Sequence, residues 1–334
     1  EVYYYAGNTT NNWVKFGRYQ NDFIKYRGYY SSTSTTSYRD YDTLNECNSS
    51  TLYNKNCSEY KYASAGDDIY WRIIRTNHDG SIRLLYVGAS SDTTNGNIGS
   101  SLFNTNFDSP KYVGYKYGED DSTLDGIREN TTDSTIKKYI DTWYKNNLTR
   151  YTKYLSTSAV YCNDRSLGIG QTYNFASTPR LEFDFAPYYR IDYDTKGATA
   201  NPTYNCSDIR DAFSVDNTSA KIEYPIALMT ADELAFAGGT ARQEMDFTSY
   251  AWFASNSAGK AVSLSGWCSL SPFYWGNSET GVWGWNYSTS YLAPMSTYFN
   301  FNVRPVVSLN SCVKVFGDGT PESPYEVDYD GSCK

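Results

Sequence analysis

The segment from Trp267 to Leu309 constrains the fold more than any other part of the chain. It opens on Trp267-Cys268-Ser269-Leu270-Ser271-Pro272 and closes on Val303-Arg304-Pro305-Val306-Val307-Ser308-Leu309. Trp267 and residues 303–309 have the apolar spacing of buried strands and read as framework. Residues 273–302 between them are dense in Tyr, Trp, Asn, Ser and Gly. Rings give contact area at small entropic cost, and Ser, Gly and Asn give adaptable hydrogen bonding. Any one of these rings taken alone reads as core; the run as a whole, with amides and hydroxyls interleaved, is expected to be a binding surface. Its expected contacts are Tyr274, Trp275, Asn277, Trp283, Trp285, Asn286, Tyr287, Tyr291, Tyr298 and Asn300. The rings would stack on a sugar face or a protein patch, and the amides would fix orientation. Arg304 is expected to support this loop from the frame.

With 334 residues the chain is long enough for one large domain or two ordinary ones. No repeat and no linker divides it. The expectation is one α+β domain over 1–334, with short antiparallel strands, two main helices and insertions at 31–65, 162–206 and 273–302. The net charge is −8 and no block of Lys and Arg stands out, which excludes a nucleic-acid footprint. No stretch is long and apolar enough to span a membrane. The 35 Tyr, 15 Phe and 8 Trp against 3 Met suit an extracellular β-rich protein. The start at Glu1-Val2-Tyr3-Tyr4-Tyr5 reads as a processed, secreted chain. Eight Asn-x-Ser/Thr sequons, among them Asn8, Asn48 and Asn286, are what this composition yields by chance.

Seven cysteines group into three bridges, Cys47–Cys57, Cys162–Cys206 and Cys312–Cys333, leaving Cys268 free and buried beside Trp267. No C-x-x-C occurs, which argues against zinc and thioredoxin-like chemistry. Disulfides place the chain in an oxidising compartment, outside the cell or on its surface.

Local structure is clearest at 70–75 and 82–87, two strand-like runs joined by Asn77-His78-Asp79-Gly80, a hairpin signal. Residues 133–155 form an expected amphipathic helix capped by Asp133 or Ser134, with Ile136, Ile140 and Trp143 inward and Lys137, Lys138, Asp141 and Lys145 outward. After the apolar run Tyr224–Met229, Thr230-Ala231-Asp232-Glu233 is a capping box, and Gly238-Gly239 ends its helix.

The stretch Pro225-Ile226-Ala227-Leu228-Met229-Thr230-Ala231-Asp232-Glu233-Leu234-Ala235-Phe236-Ala237-Gly238-Gly239 resembles the P-T-x-A-E-W-x-x-A-x-G-G helix of the formylglycine-generating-enzyme family. Trp267…Ser271-Pro272…Val282-Trp283…Val303-Arg304-Pro305-Val306-Val307 is similar to the W-x-x-S…W…G-x-R-P-V end of that superfamily. Taken whole, the chain resembles a set of uncharacterised secreted proteins of gut Gram-positive bacteria, through Tyr70–Arg75, Asp79–Leu84, the Thr135–Trp143 helix, Tyr161–Arg165 and Gly317-Asp318-Gly319-Thr320…Pro324-Tyr325. The resemblance implies a C-type-lectin-like fold. Its oxidase activity, which uses a cysteine pair and copper, does not carry over, because Cys268 has no partner nearby in sequence. Related lectin-like folds display variable ligand-binding residues between the Trp/Ser strand and the final Arg-Pro strand, which here is 273–302.

Catalytic chemistry is thin. One turn histidine, His78, makes a Ser-His-Asp or Cys-His site unpromising, so the chain is expected not to be an enzyme. Glu182 with Asp184, or Asp232 with Glu233, are the only carboxylate pairs that suggest glycosidase work. No cofactor is required; Glu119-Asp120-Asp121 and Asp318 are the candidate oxygen ligands for calcium. The expected function is recognition of a glycan or protein ligand at the cell surface, as in an adhesin. The rival is a structural subunit of an extracellular filament or surface layer, self-associating through the same aromatics, with residues 2–5 added to a neighbour as a strand.

Overall fold

The computed structural model describes residues 1–6, 9–94, 96–177, 180–191, 201–241, 252–258, 266–286 and 291–333. Its organising element is the expected hairpin. Strands Asp68–Thr76 and Ile82–Gly88 pair from Thr76 opposite Ile82. Gly80 takes φ +79° in the turn, a conformation that costs glycine little. Exposed His78 sits beside it.

This hairpin lies at the centre of a seven-stranded sheet. The order is Ile226–Leu228, Pro305–Leu309, Ile82–Gly88, Asp68–Thr76, Trp13–Arg18, Tyr325–Val327 and Val315–Phe316. All neighbours run antiparallel except Trp13–Arg18 and Tyr325–Val327. A second sheet has the order Tyr291–Ser296, Glu279–Asn286, Trp267–Gly276, Phe301–Asn302 and Ser100–Ser101, with Phe183–Asp184 also paired to Trp267–Gly276. One apolar cluster runs through both sheets and the main helix. The molecule is a mixed α+β fold, mostly sheet with few helices. Among the described residues no helix is long and apolar enough to cross a membrane.

The main helix is shorter than its pattern suggests. It spans Thr135–Asn147, capped by the Ser134 hydroxyl, and a 3₁₀ stretch, Thr149–Tyr154, follows. Asn147 explains the break: its side-chain amide donates to Trp143 O at 3.0 Å, competing with the helical ladder. Lys137 and Asp141, expected outward, are buried as a pair at 2.6 Å, with Asp133 a second partner for Lys137 at 3.2 Å. The capping box is present in both directions, Glu233 N–H to the Thr230 hydroxyl at 3.0 Å and Thr230 N–H to Glu233 Oε2 at 2.9 Å.

All three expected disulfides are present, and Cys268 is free and buried. The 31–65 insertion is not a loop. Tyr38–Tyr41 and Lys55–Ala63 flank Phe23–Tyr29 in a three-stranded sheet, and the Leu44–Ser49 helix is stapled to it by Cys47–Cys57. Aliphatic alternation is missing there because a cation holds the sheet. The Arg27 guanidinium lies 3.7 Å from the Tyr38 ring centre and 3.6 Å from that of Tyr60, and it forks Asp40 at 2.8 and 3.1 Å. Residues 162–206, expected as irregular, carry Phe183–Asp184 and the Ala186–Ile191 helix. The N-terminal tyrosines, which the filament alternative would add to a neighbour as a strand, pair within their own chain: Thr76 N–H donates to Tyr3 O at 2.8 Å and Tyr5 N–H to Ile74 O at 2.9 Å.

Candidate functional site

The structure divides the expected aromatic surface in two. Strands Trp267–Gly276 and Glu279–Asn286 form a hairpin whose turn residues, Asn277 and Ser278, have φ +51° and +59°, the doubly left-handed pattern of tight hairpin turns. Glu182 accepts the Asn277 N–H at 2.9 Å, so this carboxylate staples a turn. Trp275, Trp283 and Trp285 are buried, Trp283 completely. They pack edge-to-face on other rings: Trp283 on Phe273 at 4.5 Å, Trp275 on Phe175 at 5.0 Å, Trp285 on Phe253 at 4.9 Å. These three are core residues, contrary to expectation. The physical reason lies in the small residues between them. A Cβ on Gly284 would meet Met295 Sδ at 2.2 Å and one on Gly281 would meet the Tyr274 ring at 2.5 Å, so the glycines make room for packing. The hydroxyls are also spoken for, Ser271 accepting Ala231 N–H at 2.9 Å and Thr280 meeting Thr297 at 2.9 Å.

Of the other expected contacts, Tyr274, Asn286 and Tyr291 are half-buried, and Asn277 is exposed but occupies the turn. Tyr287 lies outside the described residues. Tyr298 and Asn300 are exposed, in the turn between strands Tyr291–Ser296 and Phe301–Asn302.

Asn300 leads to a cleft of about 360 Å³ between the insertion sheet and the body of the molecule. One wall is Asn300, Asn302 and Ser100; the other includes Tyr38, Ser49, Ser50 and Thr51; Lys25, Asp40 and Tyr62 also line it. Lys25 is only 4% exposed and ion-paired to Asp42, which also accepts the Tyr139 hydroxyl at 3.0 Å. Asp40 is held by the Arg27 fork and accepts the Tyr62 hydroxyl. Burial pulls the Arg27 guanidinium down, and its hydrogen bonds to Asp40 more than reverse this. Burial, then the Asp40 charge, pushes the Tyr62 phenol up, so it stays protonated. Gly99, at φ +138°, is required at this base: a Cβ there would lie 1.7 Å from the Tyr139 hydroxyl oxygen and 2.8 Å from Lys25 Nζ. The cleft presents hydroxyls and amides beside the exposed Arg39 and Glu46, while its buried Lys25 and Asp40 are ion-paired within the chain. Lys25, Tyr38, Asp40, Tyr62 and Gly99 escaped the sequence reading. The signal was the Tyr38-Arg39-Asp40-Tyr41 run opposite Tyr26-Arg27, legible only once the strands are paired.

The calcium candidates are otherwise occupied. Glu119 pairs with Lys111 at 2.9 Å, Asp120 and Asp121 accept the hydroxyls of Ser122 and Ser109, and Asp318 accepts from Thr320 within its turn. Among the described residues no group of three or more His, Cys, Asp or Glu is placed to hold a metal ion. Asp232 pairs with Arg190 at 2.9 Å, and Glu233 with Arg75 at 2.8 Å and Arg83 at 3.4 Å, so both carboxylates serve the frame. Burial pushes the Cys268 thiol up, away from the reactive thiolate.

Comparison of the chain with protein-family models, with curated proteins and with solved structures finds no match in any of the three.

Proposed function

We propose that this is a secreted or surface-displayed, non-catalytic recognition protein that binds a glycan in the cleft between the insertion sheet and the Asn300–Asn302 wall. The observation that carries this reading is the cleft's chemistry: hydroxyl and amide groups line it together with the exposed Arg39 and Glu46, while the more buried Asp40 and Lys25 are compensated by Arg27 and Asp42. A hydroxyl-rich ligand exchanges hydrogen bonds with such a surface. Three disulfides are compatible with an extracellular site of action. The fold we assign to this work is C-type-lectin-like, of the formylglycine-generating-enzyme type. The capped Ala231–Phe236 helix after Ile226–Leu228 and the buried Trp267 and Arg304 support it.

An array of neutral and charged glycans followed by calorimetry tests the proposal. Asn300→Ala with Thr51→Val removes two polar groups that face the cleft, each hydrogen bond being worth about 1 kcal/mol. The pair is expected to weaken binding roughly tenfold or more with melting unchanged. No glycan bound, or equal binding by the variant, would overturn the site. Ordered polymers of the purified protein in light scattering would favour the filament instead.

A further inference from the structure

We propose that Lys25 and Asp42 condense to an amide cross-link, made by the chain on itself once it has folded. Lys25 is buried on strand Phe23–Tyr29, and Asp42 follows the paired strand Tyr38–Tyr41. Lys25 Nζ contacts Asp42 Oδ1 and lies 5.5 Å from the Phe23 ring centre. The other carboxylate oxygen, Oδ2, accepts from two donors, the Tyr139 hydroxyl at 3.0 Å and Ser100 N–H at 3.3 Å. The fold thus sets an amine against a carboxyl group whose other oxygen is already held by two hydrogen-bond donors, which is what acyl transfer to nitrogen needs. Gly99 lets these groups meet: a Cβ there would lie 2.8 Å from Lys25 Nζ and 2.9 Å from Asp42 Oδ1.

Burial favours the neutral forms of both partners. One proton passes from the Lys25 ammonium to Asp42 Oδ1, leaving a free amine and a carboxylic acid with the total charge unchanged. The Nζ lone pair attacks Asp42 Cγ, and the negative charge that develops on Oδ2 is held by Tyr139 and Ser100. A second proton moves from Nζ to Oδ1, the Cγ–Oδ1 bond breaks, and water leaves into the cleft that Lys25 lines. One C–N bond forms, one C–O bond breaks, and no oxidant or other reactant enters. Between free molecules in water this condensation runs backward. Partners fixed in contact have an effective concentration of about 10⁵ M or more, which drives it forward. The other buried lysine–aspartate pair lacks the arrangement. Lys137 is shared between Asp141 and Asp133, and among the described residues Asp141 Oδ1 has no hydrogen-bond donor.

Intact mass spectrometry of the reduced, denatured protein tests this. The parent is expected to weigh one water less than its sequence, and a protease digest is expected to yield a branched peptide joining Lys25 to Asp42. Lys25→Arg, which keeps the charge, and separately Asp42→Ala are expected to show the full mass of their sequences. The parent's mass and peptide map decide the matter even if a variant folds poorly. A parent at its full sequence mass overturns the cross-link, as does a missing water that persists in Lys25→Arg or maps to other residues. In cell-free synthesis sampled over time, Tyr139→Phe is expected to reach the linked mass roughly a hundredfold more slowly than the parent, the cost of one lost oxyanion donor. Linkage at the parent's rate overturns the part given to Tyr139.

Discussion

Arg72 and Arg304 clamp one short turn, Arg72 from strand Asp68–Thr76 and Arg304 from just before strand Pro305–Leu309: Arg72 Nη1 donates to Trp252 O and Arg304 Nη1 to Phe253 O, each at 2.6 Å. Both guanidiniums are buried and lie against indole rings, Arg72 between Trp13 and Trp252 and Arg304 over Trp267. Burial lowers each to about 9, with the neighbouring Arg72 adding to the effect on Arg304. The Trp252–Ala254 turn packs Phe253 against Trp267 and Trp285, so the clamp sets the hairpin beneath the cleft wall. Arg304→Ala leaves carbonyls of Phe253 and Tyr86 unpaired and opens a cavity, at an expected cost of about 3–5 kcal/mol in urea unfolding. Arg304→Lys is expected to recover little, because a point donor cannot reach both carbonyls while lying flat on the ring. A loss under about 1 kcal/mol for the alanine variant would show that the clamp is not structural.

Tyrosine ionisation is expected to end stability on the alkaline side. Burial raises Tyr19, Tyr86, Tyr115, Tyr139 and Tyr161 above their ordinary 10.0, and it raises Tyr144 to about 12. Below pH 10 both folded and unfolded phenols hold their protons and this stability is complete. Above pH 10 the unfolded chain releases protons that the folded chain keeps, so stability falls as pH rises. Tyr144 alone contributes about 3 kcal/mol to that loss. Arg72 and Arg304 act in the opposite sense between pH 9 and 12.5, since the unfolded chain binds the extra protons there, but the buried tyrosines outnumber them. A pH titration following near-ultraviolet tyrosinate absorbance should show a cooperative step coincident with loss of circular dichroism. Gradual titration near pH 10 without unfolding would place these phenols in solvent.

Elements set by neighbouring residues were legible. The Asp79-Gly80 hairpin, the Thr230–Glu233 capping box and the three cysteine pairings each depend on contacts a few residues apart or on a small choice of partners. Elements set by distant partners were not. Lys55–Ala63 exposes most of its side chains, so no apolar stripe announces a strand; its stability comes from Arg27 on the facing strand. The hairpin rings were misread because Ser and Gly between aromatics serve packing as readily as binding. Gly284 is small because Met295 and Trp267 crowd it, a fact of the folded sheet alone. Tyr298 and Asn300 are exposed, as expected, because they lie in the turn between Tyr291–Ser296 and Phe301–Asn302 rather than on a strand.

Thiol accounting is expected to give one free cysteine, and only after unfolding. Native protein treated with a maleimide should gain no label; in denaturant without reductant it should gain one, on Cys268. Labelling of the native protein would mean that Cys268 is not enclosed. Cys47→Ser with Cys57→Ser should open the insertion selectively, since the bridge closes a loop of 10 residues and is worth about 2–3 kcal/mol. Amide exchange is expected to quicken across residues 38–63 while the central hairpin stays protected. Uniform exchange throughout would mean that the insertion folds as one unit with the body.

Glu233 is expected to govern the acid side. Burial alone would raise its carboxyl, but Arg83 and Arg75 hold it below its ordinary 4.5. A carboxylate depressed in the folded state stabilises above the unfolded value and loses that contribution as pH falls through and below 4.5. Glu233→Gln keeps an oxygen for the Thr230 N–H but removes the charge that compensates two buried arginines. Breaking a buried pair from one side costs about 3–5 kcal/mol. The variant should therefore be less stable at neutral pH and should show a shallower loss of stability on acidification than the parent, because the group responsible for part of that slope is gone. Urea unfolding at pH 7 and pH 4 checks both. A variant as stable as the parent at pH 7 would mean that Arg75 and Arg83 are compensated without Glu233, and an unchanged acid slope would mean that other carboxylates set it.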